Sequence, residues 1–251
     1  MKAVGIIPVR LESSRLPEKA IADICGLPMF VHTCKRAMLS NSLDDVFLAT
    51  DNQNIKNIAE QYDIKTIMTK TSHKNSSERI AEACQVIDCD VIVNIQGDEP
   101  LLNPTHIDQI LEPFYLDDDI QVSIGITSFS KQNSISDIKA VTDLNGDLLY
   151  CSRNDIPFNN NGYLKLSKLV FIVPHRKKCI IKYLEWEPSP LEILEDNHFL
   201  RLIENGVKIR AVEVEEGFIS VDTIEDLEEV RKAFKKDKIK EMYTKWAIYE
   251  F

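Results

Sequence analysis

Between Pro8 and Lys19 the chain reads Pro-Val-Arg-Leu-Glu-Ser-Ser-Arg-Leu-Pro-Glu-Lys, which puts three cations, Arg10, Arg15 and Lys19, and the hydroxyls of Ser13 and Ser14 within ten positions. Guanidinium forks, an ammonium, serine hydroxyls and the N–H groups of a loop form the donor set that a polyphosphate calls for. The Gly-x-x-x-x-Gly-Lys spacing of a P-loop is absent, so the phosphates would be cradled differently. A solvated charge cluster is the plainer alternative, because loops commonly carry charge. Further along, Asn94-Ile95-Gln96-Gly97-Asp98-Glu99-Pro100 ends an apolar run with a carboxylate, and Ser220-Val221-Asp222-Thr223 offers a second. Alone, each reads as a turn-former or a helix N-terminal acid. Placed opposite a cationic loop, Asp98 and Asp222 become candidate ligands for Mg2+ beside bound phosphates, and the three elements together describe metal-assisted phosphoryl or nucleotidyl transfer.

A sheet has to bring these residues together. Ala3 to Val9 is a short apolar run of the kind a buried parallel strand shows, and the cationic loop leaves its carboxyl end, where such sheets bind ligands. After Pro28 a helix is expected over Met29 to Leu39, then a strand over Val46 to Thr50, a helix over Ile55 to Tyr62 and a strand over Lys65 to Met68. Asn75 and Glu78 form a capping box for a helix from Ser76 to Ile87, Asp90 to Ile95 is a strand, and Asn103 with Pro104 starts a helix to Tyr115. The second half is mixed. Ile120 to Thr127 and Ile138 to Cys151, turning at Asp143 to Gly146, look antiparallel, and Asn159 to Gly162 is a loop. A strand over Lys168 to Val173 leads to a helix ending near Trp186. Ser189-Pro190-Leu191-Glu192 starts a helix to Asn205-Gly206, followed by a strand over Val207 to Val214 and a helix over Thr223 to Phe234. The expected fold class is α/β, a mostly parallel sheet flanked by helices with an inserted antiparallel arm.

With 251 residues the chain can bury a full core, and its 30 basic against 40 acidic residues leave a net charge of −10. That balance argues against nucleic-acid binding, while a local basic cluster can still hold a small anion. No apolar run approaches the ~18 residues of a membrane span. The first residues enter a strand-like run without a signal-peptide core, so a cytoplasmic protein is expected. The six cysteines include no C-x-x-C pair and read as reduced, mostly buried thiols, and the five histidines lack zinc-ligand spacing.

The ordered set Ile-Pro-Val-Arg-Leu-Glu-Ser-Ser-Arg-Leu-Pro-Glu-Lys, Gly-Leu-Pro-Met-Phe-Val-His, Ala-Thr-Asp at 49–51, Ser-Ser-Glu-Arg at 76–79, Asn-Ile-Gln-Gly-Asp-Glu-Pro, Cys-Ser-Arg at 151–153, Pro-Ser-Pro-Leu-Glu at 188–192 and Val-Asp-Thr at 221–223 resembles the CMP-sugar synthetases. The likeness is greatest to the members that act on 3-deoxy-manno-octulosonate, and covers roughly residues 3 to 234. It implies a Rossmann-like nucleotidyltransferase fold, a single domain over 1–234 with an extension at 235–251, a homodimer, and transfer of CMP from CTP to that acidic sugar or a related acid, with release of pyrophosphate, as lipopolysaccharide synthesis requires. Carried over by residue, Arg10, Ser13, Arg15 and Lys19 hold the triphosphate beside Pro8, and Arg10 and Lys19 stabilise charge on the transferred phosphoryl and the leaving group. Ser76, Ser77 and Arg79 face the base or ribose, Gln96 lies between nucleotide and sugar, and Asp98 and Asp222 hold Mg2+.

The acceptor side departs from that pattern. Where the family carries a His-x-Gly-x-Tyr-x-Tyr strand, this chain has Leu169-Val170-Phe171-Ile172-Val173-Pro174-His175. Where the family has Glu-Gln before Leu-Arg, it has His198-Phe199, and Asn75-Ser76-Ser77 replaces Ser-Gly-Thr. An apolar strand offers sugar hydroxyls no partners, so a diverged acceptor site is expected. Beyond Phe234, Lys235-Lys236-Asp237-Lys238 reads as a solvated run, and Tyr243, Trp246, Tyr249 and Phe251 as a segment that packs on the domain or a partner. A nucleotide-binding subunit that has lost its acceptor, or a transferase using another nucleotide and acceptor, are the competing readings.

Overall fold

The seven residues of β1, Ala3–Val9, are buried except for Pro8, and they alternate between two cores. Ala3, Ile7 and Val9 face one core, while Val4 and Ile6 face the other. A strand covered on both sides must have its edges covered too. β1 pairs in parallel with β2 (Asp45–Thr50) on one side and with β4 (Val91–Ile95) on the other, and β3 (Lys65–Met68) extends the sheet beyond β2. The computed structural model describes residues 1–11, 16–158, 166–215 and 219–244.

The antiparallel arm continues the same sheet. It consists of β5 (Val122–Phe129), β6 (Lys139–Thr142), β7 (Leu148–Ser152), β8 (Leu166–Val170), β9 (Ile172–Arg176) and β10 (Ile209–Glu213). Among the described residues these make one ten-stranded sheet in the order β3-β2-β1-β4-β9-β5-β8-β6-β7, with β10 paired in parallel to β5. Helices α1 (Met29–Ala37), α2 (Gln53–Gln61), α4 (Pro104–Leu111) and α5 (Pro113–Leu116) cover one face, and α3 (Ser76–Ala83), α6 (Lys177–Tyr183) and α8 (Phe199–Glu204) cover the other. Between α6 and α8 lies α7 (Pro190–Glu195), and α9 (Ile224–Phe234) packs through Leu227, Val230 and Phe234 on Ile24 and Met29. The α/β class and the antiparallel arm are therefore as the hydrophobic pattern predicts. Among the described residues no helix is long and apolar enough to cross a membrane.

Several boundaries differ for local reasons. The helix expected to Tyr115 breaks at Pro113, which has no N–H to donate and opens α5 instead. The helix expected to Ile87 ends at Ala83 and tightens into a 3-10 turn, Cys84–Val86. The helix expected over 190–206 is two: Asp196 takes a left-handed conformation (φ 48°), and the chain folds back so that Arg201 makes a bidentate pair with Glu192 at 2.5 and 2.6 Å. Glu192 also closes the capping box on Ser189, so one buried carboxylate starts α7 and anchors α8. The strand expected over Lys168 to Val173 reaches further at both ends and divides at Phe171 into β8 and β9. The loop at 159–162 lies outside the described residues.

The segment after α9 is not simply a solvated run. Asp237 pairs with the buried Arg36 of α1, and Arg36 also donates to the Tyr243 hydroxyl (3.3 Å) and the Leu102 carbonyl (2.9 Å). Tyr243 is in turn 2.9 Å from Nδ1 of His32. Residues 245–251, with their aromatics, lie outside the described residues. Five of the six cysteines are buried, and only Cys25 is exposed.

His175 on β9 is buried opposite Ile92, and among the described residues neither ring nitrogen has a hydrogen-bond partner. Burial, with a smaller contribution from His198, pushes its pKa down to about 3. The folded protein thus keeps this ring neutral where an unfolded chain, with a histidine near 6.5, takes up a proton. The stability it contributes is complete above pH ~6.5 and is lost as pH falls toward 3. Urea unfolding at pH 7 and pH 5 should show His175→Phe losing about 2 kcal/mol less than the unsubstituted protein over that interval; equal losses would assign the pH dependence to other groups.

Candidate active site

The parallel pairing of β1 with β4 sets Ile6 beside Asn94, so Pro8-Val9-Arg10 and Gln96-Gly97-Asp98 leave the sheet at the same edge. Between these segments opens a cleft of about 290 Å³. Pro8, Arg10 and Lys19 line one side, and Gln96, Gly97 and Asp98 the floor. Gly97 has no room for a side chain: a Cβ there would stand 2.7 Å from Val9 Cγ2 and 3.1 Å from the Pro8 carbonyl oxygen. The two loops are that close, which keeps Asp98 under the cationic segment.

Lys19 sits on a 3-10 turn, Lys19–Ile21, entered through Glu18 in the left-handed region (φ 53°). Its Nζ donates to Asp98 Oδ2 at 2.6 Å and to Asp222 Oδ1 at 3.2 Å. Burial works to lower the pKa of this ammonium, but the Asp98 and Asp222 carboxylates outweigh it and hold the pKa above the ordinary lysine value. Asp222 arrives from the far end of the chain. The Val221 N–H donates to the Asp98 carbonyl (3.0 Å), and the Ser220 hydroxyl donates to Glu99 Oε1 (2.5 Å). Glu99 is buried, and burial first and the Asp98 charge second push its pKa well above the usual carboxylate range. Thr223 and Asp226 cap α9 reciprocally, and Asp226 also accepts from the Asp222 N–H. The helix N-terminal role open to Asp222 is therefore filled by Asp226, and the Asp222 carboxylate lines the cleft instead.

The opposite wall comes from the start of α3. Asn75 accepts from the Glu78 N–H, while Glu78 accepts from the Lys74 N–H rather than closing the box on Asn75. Ser76 and Arg79 line the cleft, whereas Ser77 is buried at the first turn and is absent from its lining. Arg79 is fixed, donating to Thr69 Oγ1 (2.6 Å) and Asp51 Oδ2 (2.7 Å). That explains the Ala-Thr-Asp segment as the anchor of a cleft guanidinium. Gln96 donates to Asn94 Oδ1 at 3.1 Å and lies 3.5 Å from the Ser76 hydroxyl, joining floor and wall. Ser13 and Arg15 lie outside the described residues.

The structure adds His73, Lys74 and Met29 to the lining. Lys74 is a further cation facing the cleft, and its position just before a helix at the sheet's carboxyl edge is the signal that marks it. Cys-Ser-Arg at 151–153 does other work: the Ser152 hydroxyl (2.7 Å) and the Arg153 N–H (3.1 Å) donate to Glu195, and the Arg153 guanidinium reaches the Glu195 carbonyl, which fastens α7 to β7. Leu169, Val173 and Phe199 belong to the packed core on the α3 face, where Phe171 stacks on Phe199 at 6.0 Å between ring centroids.

A cation-lined cleft at the carboxyl ends of the sheet's parallel strands, with two carboxylates beneath it, defines an enzyme of nucleotidyl transfer. Comparison with known proteins makes this specific. Residues 4–209 match the family Cytidylyltransferase, and the chain belongs to that family. It is 38% identical over 243 residues to a 3-deoxy-manno-octulosonate cytidylyltransferase of Chlorobium limicola, covering 94% of this chain and 98% of the relative. It is 36% identical over 248 residues to the protein of that name in Geobacter metallireducens, covering 92% and 96%. A solved structure of CMP:2-keto-3-deoxy-manno-octonic acid synthetase complexed with CTP superposes with a TM-score of 0.91 at 32% identity, over 94% of this chain and 99% of that one. A 4-diphosphocytidyl-2C-methyl-D-erythritol synthase from Anaerococcus prevotii, 17% identical with a TM-score of 0.63 over 93% and 98%, shares the fold.

Because Gly97 spaces the two loops, Gly97→Ala is expected to cost about 1–3 kcal/mol of stability through overpacking. It should also lower nucleotide affinity by separating Arg10 from Asp98. Chemical denaturation and the melting-temperature rise with added CTP measure the two effects, and an unshifted CTP response in the variant would show that this spacing does not matter.

Proposed function

We propose that the protein transfers CMP from CTP to an acidic sugar, 3-deoxy-manno-octulosonate or a related acid, releasing pyrophosphate. The observation that carries this reading is the cleft of about 290 Å³, where Arg10, Lys19 and Lys74 share the lining with Asp98 and Asp222. The names and high coverage of the relatives support cytosine as the base and the octulosonate as the acceptor. In the reaction the anomeric hydroxyl of the sugar attacks the α-phosphorus, the bond to the β-phosphate oxygen breaks, and pyrophosphate leaves. Arg10 and Lys19 face the charge that grows on the transferred phosphoryl and the leaving group, where fixed cations stabilise the transition state most. Gln96 stands between floor and wall to orient the sugar, and Arg79, held by Asp51, presents a rigid donor to the nucleoside. The resemblance to CMP-sugar synthetases assigns Ser13 and Arg15 to the triphosphate as well.

Asp98 and Asp222 suit Mg2+, which takes one or two carboxylates and fills its octahedron with water and substrate phosphates. Among the described residues no cluster of three or more His, Cys, Asp or Glu forms an all-protein cage. Two carboxylates beneath a phosphate loop fit that division of ligands. When bound, the ion supplies Lewis acidity and helps ionise the attacking hydroxyl.

The reading extends to a cytoplasmic homodimer. Leu149 on the sheet's edge strand and Ile193 and Leu194 on the adjoining α7 are exposed, and a second copy would cover them. As a second reading, the departure of residues 169–175 and 198–199 from the family's acceptor pattern favours another 2-keto acid as acceptor.

Pyrophosphate release from CTP should require an acidic sugar and Mg2+ and should stop with EDTA. Asp98→Asn and Asp222→Asn should each lower the rate by ~10²-fold or more while the chain still folds. Release with the octulosonate supports the first reading, release only with another 2-keto acid the second. Silence across the panel, with CTP still raising the melting temperature, overturns the catalytic reading.

A further inference from the structure

The ammonium of Lys19 lies between Asp98 Oδ2 and Asp222 Oδ1 at 2.6 and 3.2 Å, and its side chain is only 16% exposed. A Mg2+ ion ligated by the same two carboxylates stands about 2.0–2.1 Å from its oxygens. An ion so placed would stand within about 5 Å of an ammonium hydrogen-bonded to the same oxygens. Their mutual repulsion at such a separation is several times RT even at the effective dielectric of a protein surface. We infer that Lys19 and Mg2+ are alternative occupants of the Asp98–Asp222 pair. Lys19 holds the two carboxylates together in the free protein and releases them to the ion when the nucleotide's phosphates are there to receive the ammonium. This rests on the reading of Asp98 and Asp222 as ligands.

The surroundings favour an exchange rather than simple addition. Asp98 and Asp222 come from elements far apart in sequence, and the backbone link from Val221 to Asp98 draws them together. Two ionised carboxylates confined there repel unless a cation lies between them. The Lys19 ammonium is a counter-charge to both carboxylates, and a divalent ion arriving alone has to displace it while offering nothing in return. An ion arriving on a triphosphate offers new acceptors. Lys19 is on a four-carbon stem beside Arg10, in the cleft where the phosphates lie, so a short swing carries it from carboxylate to phosphate oxygens. The consequence is an order of events: the metal enters with the nucleotide and is not stored in advance.

Mn2+ titrations followed by electron paramagnetic resonance test this without turnover. The unsubstituted protein should bind Mn2+ weakly alone and tightly with CTP. Lys19→Met and Lys19→Gln should each bind Mn2+ without nucleotide at least about tenfold more tightly than the unsubstituted protein does, because a unit charge about 3 Å from the carboxylates is gone. Adding Asp222→Asn to Lys19→Met should abolish the gain. If the Lys19 variants bind Mn2+ alone no better than the unsubstituted protein, while that protein binds it with CTP, the exchange is overturned and the metal reading stands. If no protein binds Mn2+ even with CTP, the metal reading falls and this inference with it. Should neither Lys19 variant fold, the 15N resonance of the Lys19 ammonium in the unsubstituted protein decides. It should move on adding Mg2+ with a non-hydrolysable CTP analogue and stay in place with Mg2+ alone; the same movement with Mg2+ alone would overturn the exchange.

Discussion

β1 is hydrogen-bonded to a parallel strand on each side and buried on both faces, and this double pairing decides where every group of the cleft can stand. Parallel strands end together, so the residues after Val9, Thr50 and Ile95 emerge at one edge of the sheet. Arg10, Asp51 and Gln96 follow those three ends. Asp51 fixes Arg79, Gln96 reaches toward Ser76, and Gly97 lets the first and third of these loops approach closely. A slip of one residue in either register would send Ile7 and Val9 to the wrong core and move Asp98 away from the cationic loop. Packing of the strand and placement of the charges are thus one requirement.

A second requirement comes from charge. The cleft collects cations and carboxylates in a space partly shielded from water, in a protein whose net charge is −10. Pairing keeps this affordable: Lys19 with Asp98 and Asp222, Arg79 with Asp51, and Glu99 driven toward its neutral form against Ser220. The same economy appears away from the cleft. Glu192 serves Ser189 and Arg201 together, and Arg36 serves a carbonyl, a carboxylate and a phenol. Few of these partners are near one another in sequence.

That separation explains what could be read from the chain and what could not. The strand before the cationic loop, the apolar run before Asp98 and the helix start after Asp222 are local patterns, and each lies where its periodicity and turn chemistry put it. The resemblance to CMP-sugar synthetases assigned Arg79 to the cleft, but its tie to Asp51 is long-range and needed coordinates. The break of α7 from α8 escaped the sequence because the apolar spacing runs through Asp196, while the Glu192–Arg201 pair that makes the turn is a tertiary contact. Lys74 stands in sequence only as the residue before the Asn75 cap, and the fold brings it to the cleft. Ser77 matched a motif, yet helix geometry turned it into the core beside Ser76 in the cleft. Asp237 looked like one member of a charge run until Arg36 was seen beneath it.

The joining of Asp222 to Asp98 also bears on how the enzyme comes into being on the ribosome. Chains emerge N-terminus first, so β1, β4 and the Gln96–Asp98 loop are out long before α9 and the Asp222 that precedes it. A nascent chain at that stage presents a cationic loop and one aspartate but no pair. Only when α9 settles on Ile24 and Met29, and the residues beyond it close on Arg36, do both carboxylates stand together in the cleft. The catalytic centre is therefore completed by a segment synthesised long after its first half.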